Sequence, residues 1–305
     1  NNPATNQDSY NVAVGYGAAN GITTGKQNTA VGGLALDELT TGDRNVALGF
    51  GSISSASTGS DNTGVGNYAL IENTSGEKNV AVGSYALDAN TTASYNVGIG
   101  YSALGANTTG QYNTAVGSAL SSNTTGGDGV AIGHSALASN TTGSRNLAIG
   151  VNALTAATTA SDNTAIGYQA GDAITTGDLN VAIGKDALGT NTVGDRNVAI
   201  GGSALANYNP ATNEDSYNVA IGLNALFADT TGKNNTVVGG KGGEAVTTGQ
   251  ANTFVGMEAG AYATTGDNNT CIGKQAGANS VNLTTGGDNT LLGCAVRGSG
   301  STVSN

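Results

Sequence analysis

Tryptophan is absent from this 305-residue chain, phenylalanine occurs 3 times, proline twice, and histidine and methionine once each. So little bulk excludes an ordinary globular core, where a few aromatics carry much of the buried area. Charge is scarce as well. Asp, Glu, Lys and Arg make up 10% of the residues, far below the roughly 25% usual in soluble domains. Ten Lys and Arg stand against 21 Asp and Glu, for a net charge of −11. Nucleic acid and anionic lipid need clustered cations, so neither is an expected partner. No run of about 18 apolar residues is present to insert into a membrane. The N-terminus has no signal-peptide pattern and does not begin with Met, so the sequence is read as a processed product or part of a longer chain. The two cysteines, Cys271 and Cys294, are too few for a secreted disulfide scaffold. They are read as free, partly buried thiols.

What is abundant is small and repeated. Glycine contributes 50 residues, and Asn, Thr and Ala fill most of the remainder. A five-residue unit, Asn-x-x-aliphatic-Gly, begins at Asn11, Asn28, Asn45, Asn62, Asn79, Asn96, Asn113, Gly129 (Gly in place of Asn), Asn146, Asn163, Asn180, Asn197, Asn218, Asn235, Asn252, Asn269 and Asn289. Thirteen of the 16 spacings are 17 residues, and the others are 16, 21 and 20. A period of this size marks a repeat architecture. The full unit is seen in residues 28 to 44, NTAVGGLALDELTTGDR.

Each position of the unit has a physical reading. Val, Ile and Thr at positions two to four favour a short strand. The aliphatic at position four is expected to form the core: Val14, Val31, Leu48, Val65, Val82, Ile99, Val116, Ile132, Ile149, Ile166, Ile183, Ile200, Ile221, Val238, Val255, Ile272 and Leu292. Glycine at position five of every copy points to a bend or a positive φ. The Ala-Leu pair at positions eight and nine reads as a second short strand or a turn, and Thr-Thr-Gly as an exposed turn. Asn at position one is expected to form a hydrogen-bonded ladder from coil to coil. Glycine recurs too often for a long helix. The predicted fold is therefore all-β: a parallel β-solenoid, or β-roll, of 17 stacked coils in a single repetitive domain over residues 1–305. Coils stacked at a strand spacing of about 4.7–4.8 Å would extend on the order of 80 Å.

Departures from the period mark loops. The short spacing lacks one residue in Gly117-Ser118-Ala119-Leu120, and the 20-residue spacing adds residues near Ser280 to Leu283. The 21-residue spacing predicts an insert loop at 206–217. Residues 209–222 there, NPATNEDSYNVAIG, repeat residues 2–15, NPATNQDSYNVAVG, so residues 1–10 are read as the tail of an earlier coil. Bulky apolar residues are few for 17 ordered residues per coil. A thin roll with one apolar stripe left over would bury it against identical chains, so a homotrimer is favoured over a monomer, with end-to-end polymers as a further form of self-association.

The motifs NVAVG, NTAVGxxAL and NVAIGxxAL resemble the repeats of YadA-like heads of trimeric autotransporter adhesins. Even more closely they resemble the TTGxxNTAIGxxAL repeats of bacteriophage tail fibres and related bacterial surface fibres. The resemblance runs from Asn11 to Gly293. It implies a left-handed, trimeric β-roll that binds host surfaces and resides outside the cell, on a cell surface or on a virion. The family's unit is shorter, and the Thr-Thr-Gly turn is an addition here.

Chemical motifs are sparse. His134 is the single histidine, so neither a Ser-His-Asp set nor a His-rich metal site can be assembled. Asp37 and Glu38 read as solvated loop charges, and no cofactor is expected. Structural calcium is the rival reading, because Asp43, Asp61, Asp128, Asp162, Asp178, Asp195, Asp267 and Asp288 sit in the turn before the Asn unit. The candidate recognition residues are Tyr10, Tyr95, Tyr112, Tyr208 and Tyr217, with Tyr16, Tyr101 and Tyr168 after the Gly; exposed tyrosine stacks on sugars and proteins. Asn90, Asn107, Asn123 and Asn140 match the glycosylation acceptor pattern, which repetition of the turn explains equally well. The sequence thus predicts a non-enzymatic fibre or adhesin segment, a spacer that binds a host glycan or protein. A self-assembling extracellular filament or sheath is the alternative, and a Thr-lined ice-binding solenoid a third.

Overall fold

A computed structural model describes residues 9–278 and 281–296. The chain divides into two compact units at Asn146/Leu147. The first holds eight three-residue strands, β1 (Val12–Val14) to β8 (Val130–Ile132), and the second nine, β9 (Leu147–Ile149) to β17 (Thr290–Leu292). Within each unit, successive coils pair their strands in parallel and in phase, as in Val12↔Thr29, Ala13↔Ala30 and Val14↔Val31. The predicted β-solenoid with its 17-residue period is what forms. Irregular spacings leave the register intact: Thr114 pairs with Val130, Val198 with Val219, and Thr270 with Thr290. Extra residues leave the coil as loops because every strand already has its partner.

The core does not lie on the position-four side of the strand. In a three-residue strand the middle side chain faces opposite to its neighbours. Here the middle residue, usually Ala, is inside: Ala30, Ala81, Ala148 and Ala199 are buried. The position-four residues consequently point outward, and the assignment of Val14, Val31, Leu48, Val65, Val82, Ile99, Val116, Ile132, Ile149, Ile166, Ile183, Ile200, Ile221, Val238, Val255, Ile272 and Leu292 to the core is corrected. Eight of these 17 are exposed and nine half-buried. The interior is filled instead by Ala at position eight, Leu at position nine and a variable position twelve, as with Ala136, Leu137 and Leu39. In the coil that begins at Asn28, Leu36 and Leu39 together fill the interior beside Ala30 and Ala35.

Tight winding demands unusual backbone. Gly150 at position five has φ +133°, and a Cβ there would lie 2.3 Å from the carbonyl oxygen of Gly167 in the next coil. Both facts require glycine. The Ala-Leu pair is a turn rather than a strand, with Leu120 in the left-handed region at φ 49°. That conformation costs a non-glycine residue roughly 1–2 kcal/mol. It swings the leucine inward while its N–H donates to the Ala136 carbonyl at 3.0 Å.

Asparagine closes the coils as expected. The Asn28 Nδ2 donates to the Gly42 carbonyl of its own coil at 2.9 Å, and its Oδ1 accepts the backbone N–H of Asn45 at 2.8 Å. The pattern recurs along both units, for example at Asn180 and Asn235. A second buried ladder joins Asn73, Asn90, Asn107, Asn123 and Asn140 at position twelve, each Nδ2 donating to the preceding Oδ1 at 2.8–3.1 Å.

Two loop predictions need adjustment. The 20-residue spacing carries a five-residue helix, α1 (Val281–Thr285), although no helix was expected; it returns Leu283 to the buried column at position twelve. Ser280 lies outside the described residues. Of the predicted 206–217 insert, Tyr208 and Ser216 are buried parts of the coil, and Ala211, Thr212 and Asn213 form the exposed tip. Arg196 pairs with Asp215, and Lys233 with Glu214 at 2.6 Å, so charges pin the loop to its flanking coils. Residues 1–8, read as the tail of an earlier coil, also lie outside the described residues.

Candidate functional site: the outer sheet face and its aromatic borders

Positions two and four of each strand share one face. Thr, Val or Leu holds position two, Val, Ile or Leu position four, and neither is charged in any coil. Each unit therefore presents two adjoining columns of mostly β-branched side chains. Rigid strands hold them, and no described segment of either unit buries them fully.

Aromatic residues flank this face in the first unit. Position six or seven carries Phe50, Tyr68, Tyr85 and Tyr101 in four consecutive coils. Their ring centroids are 5.5, 5.6 and 6.1 Å apart, with edge-to-face, tilted and edge-to-face geometry. Such pairs add roughly 0.5–1.5 kcal/mol beyond their burial. Tyr101 remains 65% exposed. Across the strand, Tyr95 and Tyr112 stack at 5.0 Å with planes 13° apart, and the Lys78 Nζ donates to the Tyr95 hydroxyl at 2.9 Å. The segment Tyr95-Asn96-Val97-Gly98-Ile99-Gly100-Tyr101 thus runs from one border to the other, with Tyr95, Ile99 and Tyr101 all exposed.

The predicted recognition tyrosines are not one cluster. Tyr10, Tyr16 and Tyr168 are exposed. Tyr217 is exposed too, with its hydroxyl donating to Asp215 Oδ2 at 3.1 Å and the Arg196 guanidinium 5.9 Å from its ring. Tyr208 is corrected: it is fully buried at position twelve. It is the last core residue before the inserted loop, which is why an exposed role was read into it. Its hydroxyl is buried without a hydrogen-bond partner, since nearby Ser216 does not complete a bond, and burial pushes its pKa up to about 12. Sequence reasoning missed the run of Phe50, Tyr68 and Tyr85, although aromatics at position six or seven of consecutive repeats were the available signal.

Other candidates resolve structurally. Asn90, Asn107, Asn123 and Asn140 are buried with their Nδ2 groups hydrogen-bonded, so the acceptor pattern there is the ladder rather than a modification site. The turn aspartates at position sixteen accept backbone N–H groups from the preceding coil, as with Asp43 from Lys26 and Asp195 from Asp178, each at 2.7 Å. Asp61 is engaged by Arg44 at 2.6 Å, which lowers its pKa. Among the described residues no group of three His, Cys, Asp or Glu is placed to hold a metal ion. His134 is exposed, its Nδ1 3.1 Å from the Ser135 hydroxyl. Cys271 is a buried free thiol in the alanine column, its pKa pushed up to about 12 by burial, and Cys294 is an exposed one. The first threonine of the turn donates its hydroxyl along the stack, Thr40 to the Ser57 carbonyl at 2.6 Å, while Thr41 is exposed. Among the described residues no helix is long and apolar enough to cross a membrane. Comparison of the chain with protein-family models, with curated proteins and with solved structures found no match.

Proposed function

We propose that this chain is a non-enzymatic structural segment of an extracellular fibre or adhesin, joined to two identical copies through its outer sheet face. The single observation carrying this reading is the uncharged double column at positions two and four. The interior closes without it, so an isolated chain leaves an apolar strip along each unit. Interface cores are depleted of charge in the same way. Fully burying a Val or Ile side chain stabilises by about 1.5–3 kcal/mol. The exposed apolar residues of the columns keep 37–62% of their surface and the others are half-buried, so association recovers on the order of 1 kcal/mol per coil. Over 17 coils that exceeds the roughly 4–15 kcal/mol lost on association. Threefold symmetry and left-handed coiling come from the resemblance to YadA-like heads and tail-fibre repeats. In this reading the aromatic borders flank the assembled face and contact a host glycan or protein.

The test is the mass in solution. Light scattering should give three times the 29.6 kDa of one chain. Ile149→Asp, at a half-buried outward position, should keep the far-UV β signature and lose the assembly. A wild-type chain that runs at one chain mass with its fold intact would overturn the proposal.

One observation supports a second reading. The same columns form a regular array of methyls and hydroxyls at strand spacing, a surface able to order water and bind ice. Thermal hysteresis from a wild-type chain that runs at one chain mass would favour that reading.

A further inference from the structure

Away from the strand columns, the second unit carries a groove of about 360 Å³ across the coils that begin at Asn218, Asn235 and Asn252. Its volume lies at the small end of ligand sites, which run from about 300 to 1,000 Å³. Ala228 and Ala245 give it a low floor, and Tyr262, more than half exposed, forms one wall. Glu244, Glu258 and Lys241 supply the polar lining.

The polar groups are oriented before any ligand arrives. Glu244 Oε1 accepts from Asn224 Nδ2 at 3.2 Å, and its Oε2 lies 3.9 Å from Lys241 Nζ. Glu258 Oε2 accepts from Gln275 Nε2 at 2.7 Å. Each carboxylate keeps acceptor positions in reserve, because an ionised carboxylate has about four. The backbone beneath is stitched from coil to coil: Ala228 N–H to Glu244 O at 3.1 Å, Ala245 N–H to Ala261 O at 3.0 Å, and Glu258 N–H to Gly240 O at 2.9 Å. A rigid, prepared site loses little freedom on binding.

We propose that this groove binds one neutral pyranose unit of a polysaccharide, a reading that rests on the surface-binding role above and names its ligand class. The chemistry selects the ligand. A tyrosine ring offers an apolar face to sugar C–H groups. Two oriented carboxylates accept hydroxyl protons, and the ammonium of Lys241 donates to a ring or hydroxyl oxygen. Two negative charges against one positive disfavour uronic acids and sulfated sugars. No other position-eleven residue is a tyrosine, so no other described coil repeats this wall.

The experiment uses the full chain with methyl glucoside, methyl galactoside, N-acetylglucosamine and glucuronate at millimolar concentration, read by saturation-transfer NMR. At least one neutral sugar should receive saturation with half-maximal binding on the order of 1 mM, and glucuronate should not. Tyr262→Ala should abolish the transfer, and Glu258→Gln should weaken it at least about fivefold. Unchanged amide exchange in the coil beginning at Asn252 would show that both variants remain folded. Transfer to none of the sugars, transfer unaffected by Tyr262→Ala, or equal transfer to glucuronate would each overturn the site. Retention of polysaccharide binding by Tyr262→Ala would overturn it too while leaving the fibre reading standing. The oligomer mass, measured on the same samples, tests that reading separately.

Discussion

Asp229→Asn should stabilise the second unit, and by an amount that grows with pH. Asp229 sits at position twelve, fully buried. Its Oδ1 accepts the Gly232 N–H at 2.7 Å, and its Oδ2 lies 3.4 Å from Asn235 Nδ2. No described cation pairs with it. Burial pushes the carboxyl from an ordinary 3.8 up to about 7. A tenfold change in acid strength corresponds to about 1.4 kcal/mol. The folded value lies above the unfolded one, so the ionised group subtracts stability, by about 4 kcal/mol above pH 7. The penalty fades as the pH falls from 7 toward 4. Asn191 shows the neutral solution at the equivalent place: its Oδ1 accepts the Gly194 N–H and its Nδ2 donates to the Gly194 carbonyl, both at 2.9 Å. Native-state hydrogen exchange of the amides from Leu226 to Gly232 measures the local opening energy. The variant should exceed the wild type by roughly 3–4 kcal/mol at pH 8 and by less than about 1 kcal/mol near pH 4.5. A difference independent of pH, or a less stable variant at pH 8, would refute the reasoning.

Two further predictions concern backbone. Alanine at Gly167 and at Gly177 would each place a Cβ 2.7 Å from a backbone atom of the next coil, but only Gly167 has a positive φ, +138°. Ala93 and Ala160 already occupy the column of Gly177, so chemical denaturation should find Gly167→Ala at least about 2 kcal/mol more destabilising. Gly129 interrupts the asparagine column, and a Cβ there meets nothing closer than 3.0 Å, the Oδ1 of Asn113. Gly129→Asn should therefore add a bond to the Gly143 carbonyl and raise the local opening energy by about 1 kcal/mol, visible as slower exchange of the amides around Val130. Unchanged or faster exchange would contradict that.

Much of the fold was legible because stacking in phase makes each coil state the same constraints. The period located every strand, glycine at position five announced the positive φ, and Asn at position one announced the ladder. The inward face was not legible. In Thr-Ala-Val both Ala and Val are apolar, and size favoured the wrong one. What decides is the coil's narrow interior, which the left-handed Leu at position nine and the side chain at position twelve already fill. Tyr208 was misplaced for a related reason: in an irregular coil, nothing in the sequence marks where the core column ends and the loop begins. The outward columns were anticipated only as an unassigned stripe. The groove at Tyr262 depends on the relation between positions seven, ten and eleven in neighbouring coils, which a linear pattern does not display.

Identical neighbours also make length a free variable. Removing one whole period from within a unit would hand each residue a partner of the same kind it had before. Trimming a single residue is tolerated where a turn can absorb it, as the coil beginning at Asn113 does between Gly117 and Ala119 while Thr114 still meets Val130. A lineage can thus lengthen or shorten such a stack by copying or losing repeats, with no new packing problem to solve.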